Sequence, residues 1–266
     1  MKLEKYELFR QGLYINKMVS IENLQNLVNQ LRPVLTPFNL TRIGAENDGG
    51  YLIPEDLDHI AACFSPGVAA NSSFELDLLS KKQIGSHLAD YSVEAAPINF
   101  EPLSFTKRFL GVYNDDIFMT LDTWVRSQKE YVLDADFILQ MDIEGDEYLS
   151  LLGVSESVLT RFRILAIEIH HIENWADPLF FEIVTKFFNK ILKYFYVVHN
   201  HPNNCCGLVD LGGFIAPRVF ELSFIRKDRC IPSGFCTTFP HEYDRANLKH
   251  RSDLHLPAHW YAAPDQ

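Results

Sequence analysis

Acidic and imidazole side chains follow two apolar stretches of the chain, where they could bind a cation or move a proton. Asp142 and Glu144 come directly after the apolar run 136–141, and Glu168 and His170 lie where the next apolar run ends. Carboxylate oxygens are the ligands that Mg²⁺ prefers. We therefore interpret Asp142, Glu168 and His170 as a candidate site for Mg²⁺ or another divalent cation. The alternative is a solvated polar loop.

Histidines near the same stretches could act as a general base on a substrate hydroxyl. His171 and His201 are our candidates for the base, with Asp142 and Glu144 as further candidate catalytic residues. A cation that acidifies the hydroxyl is the alternative to a histidine base. The segment 199–206 also contains two His and two Cys, but their spacing matches no zinc pattern.

A second candidate site is the loop CFSPGVAANSSFE, which covers residues 63–75 and precedes a predicted helix. Gly67 would let the backbone approach a ligand closely. Asn71 and Ser73 lie where the free N–H groups of a helix N-terminus attract a carboxylate. Together with Ser65, these residues are candidate cofactor ligands, although an ordinary strand-to-helix turn would look similar.

Asp90 lies near the end of the next predicted strand, 86–93. A carboxylate in this place of a dinucleotide-binding sheet accepts the ribose hydroxyls of a nucleoside. A turn-forming Asp is the simpler interpretation of Asp90 by itself. Its position one strand–helix unit after Gly67 favours the ribose-binding role.

The elements that must position these residues alternate between strands and helices. This alternation predicts an α/β fold with a doubly wound, mostly parallel, seven-stranded Rossmann-like sheet that has helices on both faces. The last two strands have no helix between them and are expected to pair antiparallel. The predicted strands are 59–64, 86–93, 107–113, 136–141, 162–169, 194–199 and 218–226. The predicted helices are 20–32, 72–84, one starting near 120, a two-turn helix ending at Gly153, and a long one starting at Pro178.

Capping residues predict where three of these helices begin or end. Ser20 and Asp177 are suitable N-caps, and Pro178 would occupy the first position of the long helix. Gly85 lies where a C-cap glycine belongs. In open sheets of this class, ligands bind at the carboxyl ends of the strands, where the candidate residues lie.

Composition excludes several classes of protein. The formal net charge is −11, and such a chain repels nucleic acid unless its charges are segregated. We expect no nucleic-acid partner, no signal peptide and no transmembrane segment. Five cysteines without a C-x-x-C pair indicate a reducing compartment, so we expect the protein to be cytoplasmic. We divide the chain into a helical extension (1–39), a ligand-binding domain (40–228) and an irregular C-terminal extension packed on it (229–266).

The motifs in their order resemble the FkbM-like family of class I S-adenosylmethionine-dependent methyltransferases, over roughly residues 40–227. The matching segments are RIGAENDGGY (42–51), CFSPGVAANSSFE (63–75), ADYSV (89–93), TLDTWV (120–125), QMDIEGDEY (140–148), EIHHIE (168–173) and HNHPNN (199–204). Three residues depart from the family pattern. Ala69 replaces the usual second glycine, Asn71 the usual Asp, and Gln140 a frequent Lys.

The resemblance implies that Gly67 and the turn 71–73 approach the methionine part of S-adenosylmethionine and that Asp90 holds the ribose. Asp48 and Tyr51 would line the cofactor or acceptor side. The implied activity is O-methylation of a hydroxyl on a sugar, glycan or related small molecule. For the oligomeric state, both a monomer and a homo-oligomer stay open. Two rivals are a catalytically silent cofactor-binding module in a glycan-assembly complex and a nucleotide-using α/β enzyme.

Overall fold

A seven-stranded sheet forms the centre of the protein. The computed structural model describes residues 2–69, 71–96, 101–133 and 135–262. The strands of the sheet are β1 (Ile60–Pro66), β2 (Ser86–Ala89), β3 (Ser104–Thr106), β4 (Asp136–Met141), β5 (Phe162–Ile169), β6 (Phe195–Pro202) and β7 (Phe220–Arg226). Their spatial order is β3-β2-β1-β4-β5-β7-β6.

The first five strands are parallel, and β7 is antiparallel to both of its neighbours, β5 and β6. This arrangement confirms the predicted fold class, including the antiparallel pairing of the last two strands. The direction of winding reverses between β1 and β4, which makes the gap at their carboxyl ends the topological switch point of the sheet.

Helices cover the sheet, and two of them begin at the predicted N-caps. They are α1 (Lys2–Arg10), α2 (Ile21–Gln30), α3 (Ser73–Lys82), α4 (Leu121–Ser127), α5 (Glu147–Gly153), α6 (Glu156–Leu159) and α7 (Pro178–Tyr194). The Asp177 carboxylate accepts hydrogen bonds from the amides of Leu179 and Phe180, at 2.9 and 3.0 Å. The Ser20 hydroxyl accepts one from the Asn23 amide in the same way. Both predicted N-caps are therefore confirmed.

The predicted C-cap at Gly85 is wrong. The helix α3 ends earlier, at Gln83, which adopts the left-handed conformation with φ 59°. The Ile84 amide then donates back to Leu78 O, which closes the helix end. Gly85 serves a different purpose, because a β-carbon there would lie 2.7 Å from Leu103 Cγ.

The third predicted strand, 107–113, is also wrong. The third strand of the sheet is Ser104–Thr106, and residues Phe109–Leu110 pair with Phe118–Met119 in a separate parallel ribbon. The edge strand is only half-buried, so it does not need the most apolar stretch of this region.

Three further two-stranded ribbons surround the sheet. They are Val34–Leu35 with Gly234–Phe235, Leu40–Gly44 with Gly50–Pro54, and Leu208–Asp210 with Ile215–Pro217. Single turns of 3₁₀ helix occur at Lys129–Val132, Ile172–Ala176, Lys227–Arg229 and Ala258–Trp260. Within the described ranges, no helix has both the length and the apolar character that a membrane crossing requires.

The sheet has an apolar core on each face. One cluster includes the aromatic rings of Phe64, Trp124, Phe137 and Phe162, whose edge-to-face contacts have centroid separations of 5.2 to 6.2 Å. The other cluster lies under α3 and the Leu40–Gly44 ribbon. Burial of both faces makes the sheet a close-packed support for the loops at its carboxyl edge.

Candidate functional site

A cavity of about 590 Å³ lies at the carboxyl ends of β1, β2 and β4, beside the switch point of the sheet. Gly67 and Asp90 both line it, as do Asp48, Asp142 and Glu144. A smaller cavity of about 90 Å³ shares Asp48, Gly67 and Asp142 with it. The smaller cavity is also lined by Tyr51, Asn71, Ser73, Glu75 and Gln140. Most of the residues predicted to bind a cofactor thus lie on two adjoining cavities.

Gly67 brings two backbone segments together at the floor of the larger cavity. It has a φ of 82°, and a β-carbon there would lie only 1.7 Å from the carbonyl oxygen of Asp142. Its amide donates to Ala89 O at the end of β2. No side chain fits at this position, so the loop after β1 lies directly against the ends of both neighbouring strands.

Asp90 supports the same loop. One of its carboxylate oxygens accepts the Ala69 amide at 2.8 Å, and the other accepts the amide and the hydroxyl of Ser92, each at 2.7 Å. A carboxylate offers about four acceptor positions. Three are used, so about one remains for a ligand hydroxyl, whereas the predicted role needs acceptors for both ribose hydroxyls.

Ala69 has a left-handed backbone, with φ 40°. Residues with a β-carbon adopt this conformation at a cost of about 1–2 kcal/mol. Alanine is held there by the hydrogen bond from its amide to Asp90.

Asn71 joins the loop to the turn at Asp48 and Gly49. Its side-chain amide donates to Asp48 O at 3.0 Å, and its carbonyl accepts the Ser73 amide at the start of α3. A β-carbon on Gly49 would lie 2.2 Å from Asn71 Nδ2. Burial raises the pKa of the Asp48 carboxyl at the mouth of both cavities.

A buried polar network lies beneath the smaller cavity. The Ser65 hydroxyl donates to Gln140 Oε1 at 2.5 Å, and Gln140 Nε2 donates to the Tyr51 hydroxyl at 3.3 Å. Ser65 Oγ also contacts Glu75 Oε1. A hydroxyl has one proton, so Ser65 donates to only one of these two acceptors at a time unless Glu75 is protonated and donates in return. Burial raises the pKa of Glu75, which is consistent with a neutral carboxyl.

Asp142, Glu147 and His170 form the second group of chemical interest. One ligating atom from each lies within 4.8 Å of the other two. Glu147 is fully buried, and its Oε1 lies 3.0 Å from His170 Nδ1. The other ring nitrogen of His170 faces Asp142 Oδ1 at 3.8 Å and Glu144 Oε2 at 3.7 Å. Burial lowers the pKa of His170, but its bond to Glu147 outweighs this effect and the pKa is raised.

Glu168 lies outside this group, in contrast to the predicted set of Asp142, Glu168 and His170. It is buried beside Asn203, whose side-chain amide donates to Glu168 Oε1 at 2.6 Å. Burial, together with the charge of Asp142, raises the pKa of Glu168 well above its usual range. Burial likewise raises the pKa of Asp142, to about 6. Two carboxyls so placed favour a shared proton over two full charges.

The two histidines predicted as bases lie in different surroundings. His171 is half-exposed and packs against Gly145, whose β-carbon would lie 2.4 Å from His171 Nε2. His201 is buried between Glu221 and Asp253, at 3.5 and 3.4 Å. Burial opposes protonation of His201, but its two acidic partners raise its pKa to about 10. A cation at neutral pH does not accept a proton, so this geometry disfavours His201 as the base.

Three residues of the site were not singled out from the sequence: Glu75, Gln140 as a network member, and Glu147. Glu147 follows Asp142 by five residues and lies in the first turn of α5, where an acid would ordinarily only stabilise the helix dipole. No local sequence pattern indicates that the side chain of Glu147 is buried. Glu75 is similarly buried inside α3, where an acid would ordinarily face solvent.

No protein-family model matches the chain, and no curated protein matches it either.

Proposed function

We propose that this protein is an S-adenosylmethionine-dependent methyltransferase that transfers a methyl group to a hydroxyl of a sugar, glycan or related small molecule. The observation that carries the proposal is the shared cavity of Gly67 and Asp90 at the switch point of the sheet. The resemblance to FkbM-like methyltransferases supplies the cofactor class and the class of acceptor. The mostly parallel, seven-stranded Rossmann-like sheet is consistent with that resemblance.

The residues present fit such a cofactor. The cavity of about 590 Å³ falls within the range of small-molecule sites, roughly 300–1,000 Å³. The absent side chain at Gly67 provides the close backbone approach, and Asp90 keeps about one acceptor position for a ribose hydroxyl. Asn71 and Ser73 place the N-terminus of α3 at the smaller cavity, where a carboxylate would be stabilised.

The bound cofactor would supply an electrophilic methyl group, and the chain must supply alignment and proton removal. The rigid strand ends hold Gly67, Asp90 and Asp142 around one cavity, and such alignment contributes several kcal/mol to a displacement reaction. Asp142 and Glu144 line the side of the cavity next to His170 and His171. We assign the acceptor hydroxyl to that side, because the groups that exchange protons are there.

The two rivals make different demands on the same cavity. A nucleotide-using enzyme would bind a dinucleotide pyrophosphate on a glycine-rich turn, but only Gly67 is present in the turn SPGVA. A silent module would bind S-adenosylhomocysteine and never produce it. The arrangement of acids and histidines beside the cavity favours an enzyme over a silent module.

The test is calorimetric titration of the full chain with S-adenosylhomocysteine, with NAD as the competing ligand. We expect binding of S-adenosylhomocysteine only, and at least a 10-fold loss of affinity in Asp90→Asn. The matched control is Asp58→Asn, an exposed acid that precedes β1 at the opposite edge of the sheet. Binding of NAD in place of S-adenosylhomocysteine, or equal affinity in Asp90→Asn, would overturn the proposal. Methyl transfer to sugar acceptors, followed with a labelled methyl group, separates the enzyme from a silent module.

A further inference from the structure

The surroundings of His170 are those of a metal-binding histidine. Glu147 Oε1 accepts the amides of Ile143 and Gly145, at 3.0 and 3.2 Å, and pairs with His170 Nδ1 at 3.0 Å. A carboxylate behind one ring nitrogen fixes the tautomer of the neutral imidazole, in which the other nitrogen keeps its lone pair. Histidines that bind metals almost always have such a partner behind them.

The free nitrogen of His170 faces two carboxylates. Nε2 lies 3.8 Å from Asp142 Oδ1 and 3.7 Å from Glu144 Oε2. Neither separation is a hydrogen bond, because both exceed the usual limit of about 3.2 Å for N–H donors. Atoms that share a metal ion at about 2.1 Å are separated by roughly 3 to 4 Å, so little movement is needed to enclose a cation.

Two buried oxygens in this cluster have no partner among the described residues. They are Asp142 Oδ1, which is the atom that faces His170 Nε2, and Glu147 Oε2, on a side chain with no exposed surface. A buried carboxylate oxygen without a hydrogen bond is costly. A cation between the side chains would satisfy the oxygen of Asp142 directly.

The charge of the cluster is also uncompensated. Asp142, Glu144 and Glu147 provide three carboxyl groups, and within the described part of the chain each has His170 as its only salt-bridge partner. One imidazole, even when protonated, balances one of them. The cluster therefore has an excess of negative charge at the wall of the large cavity.

We propose that Asp142, Glu144 and His170 Nε2 bind one divalent transition-metal cation, with Glu147 as the positioning residue behind His170. The imidazole nitrogen favours a first-row transition metal over Mg²⁺ or Ca²⁺, which prefer oxygen donors alone. Mn²⁺, which also suits carboxylate oxygens, is the probe for the site. The site differs from the set predicted from sequence, because Glu144 replaces Glu168 as a ligand. Its position on the cavity wall would let the cation hold and acidify an acceptor hydroxyl, and that role rests on the proposed function.

The experiment uses chelator-treated full-length protein titrated with MnCl₂, followed by calorimetry and by the electron paramagnetic resonance of free Mn²⁺. We expect one Mn²⁺ per chain, competition by Mg²⁺ only at much higher concentration, and at least a 10-fold loss of affinity in Asp142→Asn and His170→Ala. Glu147→Gln keeps the shape of the side chain and should weaken binding by about 10–100-fold. Glu182→Gln, on the exposed surface of α7, is the matched control and should bind as the wild type does.

Circular dichroism of each variant establishes that it is folded, and His170→Gln replaces His170→Ala if the latter does not fold. The metal site is overturned if the wild type takes up no Mn²⁺, or if the His170 and Asp142 variants bind it unchanged. S-adenosylhomocysteine binding is measured on the same metal-free samples. If the wild type binds Mn²⁺ but not S-adenosylhomocysteine, the proposed function is contradicted and the metal site is retained. If it binds S-adenosylhomocysteine but not Mn²⁺, only the metal site is contradicted.

Discussion

The carbonyl oxygen of Asp142 occupies the space that a side chain at position 67 would need, with only 1.7 Å between that oxygen and an ideal β-carbon on Gly67. The end of β4 and the loop after β1 are therefore in direct backbone contact. This contact joins the two halves of the sheet at its switch point, and it forms the floor of the cavity to which we assign the cofactor.

Gly67→Ala should abolish cofactor binding and destabilise the fold. The new methyl group forces the loop away from Asp142, and alanine must also adopt a φ near 82°. We expect a loss of at least about 2 kcal/mol in the free energy of unfolding, from overpacking and backbone strain together. Urea unfolding measures this loss, and calorimetry measures S-adenosylhomocysteine affinity. Wild-type stability in this variant would contradict the close contact.

Ala69→Gly is the matched change in the same loop, with the opposite expected sign. The left-handed backbone at Ala69, with φ 40°, is relieved by glycine, although glycine adds freedom to the unfolded chain. The two effects leave an expected gain of up to about 1 kcal/mol in unfolding free energy, with cofactor binding retained. A clear loss of stability in urea unfolding would show that the alanine methyl group packs favourably.

Ser65→Ala and Glu75→Gln together test the buried network under the smaller cavity. If Glu75 is neutral and donates to Ser65, glutamine can replace it with a cost below about 1 kcal/mol. Ser65→Ala leaves Glu75 and Gln140 without their shared partner and should cost about 1–3 kcal/mol. Denaturant unfolding of the two variants gives the comparison. A larger cost for Glu75→Gln than for Ser65→Ala would mean that Glu75 is ionised.

His201 should make the stability of the protein fall as pH rises from 7 to 9. Its pKa is raised to about 10 in the folded state, because the bonds to Asp253 and Glu221 outweigh burial, whereas an unfolded histidine titrates near 6.5. The folded state therefore holds one more proton in this window. Its stability decreases by up to about 1.4 kcal/mol per pH unit.

The measurement is urea unfolding of wild type and His201→Gln at several pH values. The variant should lack the His201 contribution to the pH slope, and His250→Gln, on an exposed histidine, should keep it. Equal slopes in wild type and His201→Gln would show that His201 is not charged in the folded protein. His201 would then return as a candidate base.

Local sequence determined most of the sheet and the starts of the helices. Apolar runs placed β1, β4, β5, β6 and β7 close to their observed bounds, because a strand buried on both faces must be apolar along its length. Ser20 and Asp177 marked helix starts for a similarly local reason, since a cap bonds amides two or three residues away. Position after a strand also sufficed to place Gly67, Asp90 and Asp142 on one cavity.

The tertiary structure alone decided which acid meets which histidine. Glu147 and His170 are 23 residues apart, and they meet because α5 begins beside the end of β5. His201 contacts Asp253, which is 52 residues away on an irregular segment without helical or strand periodicity. The sequence pattern of a strand predicts on which face and at which end of the sheet a side chain lies. Which acid on a neighbouring loop pairs with a given histidine depends on the path of the whole chain. The burial of that acid then determines whether the histidine is a base, a cation or a metal ligand.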